Sequence, residues 1–132
     1  MYKLVKINDS TATRTVELEN EITGHIDVCF DDSALVSTKN FEFMKVGNSY
    51  NCFIKLFGTM VNEGDTEAVR CKIISDEVVG YKEFLKVLVD EEVYYIPKNK
   101  VKDKTKDEFI FAYTRKDLIK VDKVVHDDLL SE

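Results

Sequence analysis

Long apolar runs are missing from this chain. Its longest are of four or five residues, such as Val93–Ile96 and Phe109–Tyr113. A membrane-spanning helix needs roughly 18. The start, Met1-Tyr2-Lys3-Leu4-Val5-Lys6, also lacks the apolar core and small-residue cleavage site of a secretory signal. The expectation is a cytoplasmic protein with no membrane partner. Proline occurs once, at Pro97, and glycine five times. That leaves no linker or low-complexity tract, and 132 residues read as one domain. Cysteine is sparse and odd in number: Cys29, Cys52 and Cys71. Their spacing matches no zinc or redox motif, so they are read as free thiols that pack as small hydrophobes.

Signatures of chemistry are absent as well. The sequence holds no GxGxxG or GxxxxGK[ST] phosphate loop, no GxSxG elbow and no HExxH. Asp31-Asp32-Ser33 lacks the ligand spacing and terminal Glu of a calcium loop. There are two histidines. His25 and Asp27 share one face of a strand, where a surface acid–base pair competes with an ordinary solvated polar face, and the second is preferred. His126-Asp127-Asp128 is read as a polar chain end, because three consecutive side chains diverge rather than converge on one metal. The expectation is therefore no catalytic residue, no metal and no cofactor.

What the chain does have is alternation. Apolar residues make up 44% and charged residues 33%, enough for a core at this length. From Tyr50 to Met60 the even positions Tyr50, Cys52, Ile54, Leu56 and Met60 form one stripe, with Phe53 and Phe57 on the opposite face. The same period of two runs through Tyr2–Ile7, Thr13–Leu18, Ile22–Phe30, Ala68–Ser75 and Phe109–Tyr113. In Ile22–Phe30 the pattern assigns Ile22, Ile26, Val28 and Phe30 to the core face and His25, Asp27 and Cys29 to the other side. Between Tyr81 and Ile96, helical spacing competes with a hairpin about Asp90-Glu91-Glu92, and the β-branched flanks favour the hairpin. The stretch from Thr114 to Leu129 reads equally as a helix or as a last strand, and a short helix near Asn40–Lys45 is also carried. The fold class is mainly β: an antiparallel barrel or sandwich of about eight short strands, with a short C-terminal helix on the first of these readings.

Charge is unevenly spread. Lys98, Lys100, Lys102, Lys104 and Lys106 recur at every second position, so segment 98–106 carries +4 within a chain of net charge −6. An extended backbone would project all five ammonium groups to one side. The remainder of the chain is strongly acidic, with Asp31, Asp32, Glu63, Asp65, Asp90, Glu91 and Glu92 as a candidate docking face for a basic protein. Complementary charge speeds such association and restricts which partners fit. The leading expectation is a non-enzymatic protein-binding module, of the kind that inhibits or confers immunity to a basic toxin or nuclease. The alternative is a β-barrel of the oligonucleotide-binding type that holds single-stranded nucleic acid. It would use the lysine ridge, with Tyr94 and Tyr95 before it and Phe109 and Phe111 after it as stacking platforms. An enzyme built on His25, Asp27 and the acidic turns is the third and least supported reading.

Overall fold

Alternation becomes ten strands and no α-helix in a computed structural model that describes residues 1–9, 14–32, 40–61, 68–101 and 107–130. In chain order they are β1 (Tyr2–Asp9), β2 (Arg14–Asn20), β3 (Ile26–Phe30), β4 (Ser49–Tyr50), β5 (Cys52–Met60), β6 (Val69–Val79), β7 (Lys82–Val89), β8 (Glu92–Pro97), β9 (Glu108–Val121) and β10 (Val124–Val125). The mainly β expectation holds, with about ten strands rather than eight.

The strands form one continuous sheet in the order β4-β1-β2-β3-β9-β5-β8-β7-β6, and β6 returns to pair with β9. That last pairing closes β5, β8, β7, β6 and β9 into a ring of five. Two contacts in this scheme are parallel and thin: Phe30↔Asp117 between β3 and β9, and Lys55↔Tyr95 between β5 and β8. The β1–β4 strands therefore join the ring through a single register position of β3.

Tight turns make the antiparallel pairs. Asp90-Glu91 links β7 to β8 and Asp122-Lys123 links β9 to β10, with Asp90 and Asp122 at φ 54° and 52°. Aspartate tolerates this left-handed backbone better than most residues. The hairpin expected between Tyr81 and Ile96 is present. The C-terminal helix is not: Leu118–Val121 completes β9, and β10 leads into a three-residue 3-10 turn, Asp127–Leu129. Residues 40–43 form turns and no helix. Alternation and helical spacing overlapped in the C-terminal stretch, and ladder pairing of β9 with both β5 and β6 decided it.

The main core holds Leu4, Val16, Leu18, Ile54, Leu56, Val87, Ile96, Phe111 and Leu118. The even stripe of β5 lies inside it as expected. A smaller cluster on the outer side of the ring gathers Val79, Phe84, Tyr95 and Ile119, with Phe53, Val125 and Leu129 packed against it. So the two aromatics on the far face of β5 part company. Phe53 is covered by this second layer, and Phe57 remains 45% exposed. Beside it the register of β5 on β9 shifts between Phe57 and Gly58, where a Cβ on Gly58 would collide with the Ala112 carbonyl oxygen. The three cysteines are free thiols and buried. No helix among the described residues is long and apolar enough to cross a membrane.

Candidate functional site: a buried carboxylate behind a cleft

The face assignment of β3 is the largest departure from expectation. Ile26 and Val28 point out, 45% and 55% exposed, while Asp27 and Cys29 point in and are fully buried. Period two fixes that the two sets oppose each other but leaves open which set is inside. A polar anchor decides it here. Asp27 Oδ1 accepts hydrogen bonds from the Tyr94 hydroxyl on β8 at 2.7 Å and from Lys116 Nζ on β9 at 2.5 Å. His25 Nε2 approaches the same oxygen at 3.3 Å. Asp27 Oδ2 has no hydrogen-bond partner among the described residues. Lys116 Nζ also lies over the Tyr94 and Tyr113 rings, 5.2 Å and 5.4 Å from their centroids.

A buried charge of this kind persists only when an opposite charge and hydrogen bonds compensate it. Lys116 supplies the charge and Tyr94 a neutral donor. Burial pushes the Tyr94 hydroxyl well above its ordinary titration range, and the hydrogen bond to Asp27 adds to the shift. Tyr2 is raised too, by burial first and then by the Asp27 charge. Both hydroxyls therefore keep their protons at neutral pH.

Next to this network lies a cleft of about 620 Å³, walled by Thr23, His25, Glu92, Tyr94, Tyr113 and Lys116, with Asp90 and Glu91 at its rim. Glu92 belongs to the wall rather than to a free acidic face. It is buried and accepts from Asn20 Nδ2 at 2.7 Å and Thr23 Oγ1 at 2.5 Å. This contact ties the β7–β8 turn to the turn between β2 and β3. His25 and Asp27 thus sit beside a cleft, but the pair is no solvated face. Lys116 was not anticipated, and Tyr94 was expected only as a stacking platform beside the lysine ridge; the inversion of β3 is the signal that would have joined them to Asp27.

The other expected acidic residues separate. Asp31 is buried in an ion pair with Arg14 Nε at 3.3 Å. Asp32 Oδ1 lies 2.5 Å from His126 Nε2. Asp90 and Glu91 are the exposed members of the set among the described residues. Glu63 and Asp65 lie outside the described residues. Contrary to the divergence argument, His126 and Asp128 do share one corner with Asp32, their ligand-capable atoms within 4.8 Å of one another. Both ring nitrogens of His126 are already engaged, however: Nε2 on Asp32, and Nδ1 accepting the Asp128 backbone N–H at 3.0 Å. The corner closes the C-terminal turn.

The lysine ridge loses its expected stacking platforms. Tyr94 is held by Asp27, and Tyr95 stacks on Phe53 with centroids 4.4 Å apart and planes 6° apart. Burial pushes the Tyr95 hydroxyl up to about 12. Phe109 and Phe111 are in the core. Lys98–Lys100 form a 3-10 turn, which breaks the extended geometry that would align them, and Lys98 pairs with Asp76 at 3.0 Å. Lys102, Lys104 and Lys106 lie outside the described residues.

No protein-family model, curated protein or solved structure matches the chain. The reading of its function therefore rests on the geometry alone.

Proposed function

We propose that this domain is a protein-binding module that docks a basic partner in the cytoplasm, in the manner of an inhibitor or immunity protein acting on a basic toxin or nuclease. The supporting observation is the position of Asp90 and Glu91. They sit exposed at the rim of a cleft whose walls are fixed by two internal networks, Asp27–Lys116–Tyr94 and Glu92–Asn20–Thr23. Fixed walls lower the ordering cost of binding, and an acidic rim on a chain of net charge −6 attracts a cation-rich surface. Asp27, Lys116 and Tyr94 are committed to one another, which favours a positioning role over a catalytic one. The ring of five strands is read as a small barrel that carries this cleft on one side.

Affinity purification from the native host tests the reading. The expected catch is one basic protein whose on-rate falls steeply with salt, and falls further in the variant Asp90→Lys/Glu91→Lys. Recovery of general cytoplasmic proteins alone, or a salt-independent on-rate, overturns it. The nucleic-acid reading retains Lys98 and Lys100 without the four aromatics assigned to it. Binding of RNA or single-stranded DNA at low salt, lost on Lys100→Glu, would restore it.

A further inference from the structure

The cleft does not end at Lys116. Tyr113 and Lys116 also line a shallower groove of about 400 Å³ together with Ile26, Val28, Phe30 and Arg115. The two depressions share Tyr113 and Lys116 as a common wall; Asp90 and Glu91 line the first, and the second is apolar except for Thr15, Thr114 and the cations Arg115 and Lys116. Phe57 extends the second, next to Arg115 in the β5–β9 register.

Arg115 is held in that groove. Its Nε and Nη2 donate to Asp117 at 2.5 Å and 3.1 Å. Its guanidinium lies 4.4 Å from the Phe57 centroid and 5.2 Å from that of Phe30. The hydrogen bond to Asp117 raises its pKa further, so the charge is permanent. A guanidinium fixed by a carboxylate and two rings has little freedom left to lose on contact. Arginine and aromatic residues are the side chains that most often dominate protein interfaces. An apolar patch with a polar rim is how such a surface looks when unoccupied.

The backbone adds a direction. β3 meets β9 at the single position Phe30↔Asp117. From Ile26 to Cys29 its edge toward β9 has no ladder partner among the described residues, and the groove runs along that edge. Strand edges of this kind accept an added strand.

Resting on the protein-binding reading, we infer that this groove is the docking centre for an extended segment of the partner protein. The segment pairs its main chain along Ile26–Cys29 and lays alternate apolar side chains against Val28, Phe30 and Phe57. It carries Lys or Arg where it reaches Asp90 and Glu91. Charge complementarity selects this occupant over an acidic strand, which would meet the Asp90–Glu91 rim. It also selects it over a nucleic acid, whose phosphates would meet the same two carboxylates.

The test is selection of twelve-residue peptides from a random displayed library on the full chain, followed by amide chemical-shift mapping. Peptides with alternating apolar residues and a terminal Lys or Arg should win. Their shifts should centre on Ile26–Phe30 and Tyr113–Arg115, and Val28→Lys or Arg115→Ala should weaken them at least tenfold. Val28 is 55% exposed, so its variant folds, which an unchanged melting curve verifies. Peptides mapping elsewhere overturn the inference. So does a twelve-residue oligothymidylate that shifts the same amides, or concentration-dependent dimerisation that Val28→Lys abolishes. Groove-binding peptides without Lys or Arg, insensitive to Asp90→Lys/Glu91→Lys, overturn both the basic partner and the charged end of this segment. Loss of groove binding with a salt-steered basic partner retained overturns this inference alone.

Discussion

Replacing Lys116 with Met should destabilise the domain far more than a substitution of a partly exposed residue ordinarily does. Among the described residues, Lys116 Nζ is the only cation within 4 Å of Asp27 apart from the longer approach of His25, which is itself half exposed. Without it the Asp27 carboxylate stays buried with the Tyr94 hydroxyl as its close donor. Removing one partner of a buried pair costs about 3–5 kcal/mol. A domain of this size has a total stability on the order of 5–15 kcal/mol. The loss corresponds to roughly 10–15 °C in Tm at about 3 °C per kcal/mol. The double variant Asp27→Leu/Lys116→Met removes both charges and leaves the Tyr94 hydroxyl without an acceptor, a cost of about 1–3 kcal/mol. It should therefore be more stable than the single Lys116 variant by about 2 kcal/mol, read by urea unfolding. Hydrogen exchange adds a spatial check. β3 reaches the ring at one register position, so the single variant should expose β1–β3 amides before those of the ring. A cost below about 1 kcal/mol for Lys116→Met would refute the reasoning, because it would mean that water solvates Asp27 and the network is not dry.

Three further outcomes concern other parts of the molecule. Burial pushes the Cys52 and Cys71 thiols up to about 12 from an ordinary 9.0. The folded state then holds protons that the unfolded state releases, so stability is full below pH 9 and falls as pH rises from 9 toward 12. The slope is about 1.4 kcal/mol per pH unit for each thiol, and a flat unfolding free energy across that range would contradict it. The same burial predicts that a water-soluble disulfide reagent at about pH 8 labels no cysteine quickly in the folded protein and all three in about 6 M urea at the free-thiol rate; one fast thiol under native conditions argues against the packing. Gly58→Ala places a methyl on the Ala112 carbonyl, which backbone pairing holds in place, and should cost on the order of 3 kcal/mol in denaturant unfolding. Full stability of that variant would show that the β5–β9 register shift can relax.

Alternation was legible wherever one face was plainly more apolar than the other. Val69, Cys71 and Ile73 against Arg70 and Lys72, or Tyr50 to Leu56 against Asn51 and Lys55, admit one reading, and the sheet adopts it. The hairpin about Asp90-Glu91-Glu92 was legible too, because its flanks are rich in β-branched and aromatic residues. The C-terminal stretch was ambiguous because its apolar residues satisfy both periods. Pairing of β9 with two strands at once is a tertiary fact that local pattern cannot carry. Three members of the candidate acidic face turn out to be engaged internally, for a related reason. Asp31, Asp32 and Glu92 look like turn charges in sequence, but each has a partner at least 17 positions away: Arg14, His126 and Asn20.

β3 shows where local pattern reaches its limit, and why the site lay beyond it. In Ile26-Asp27-Val28-Cys29-Phe30, hydropathy favours burying Ile, Val and Phe over Asp and Cys. At about 25 cal/mol per Å² that choice is worth several kcal/mol. The fold takes the opposite choice, which requires a compensating gain. A Tyr94 hydroxyl and a Lys116 ammonium arrive from strands 67 and 89 residues further along the chain to supply it. The same inversion leaves Ile26 and Val28 in solvent beside Phe57 and Arg115. Stability alone would select against both results. A partner segment seated on Ile26 and Val28, as inferred above, would give both results a use. The buried network and the exposed groove are thus two sides of one strand. The cost carried on the inner side is the strongest physical argument that the outer side is an interface.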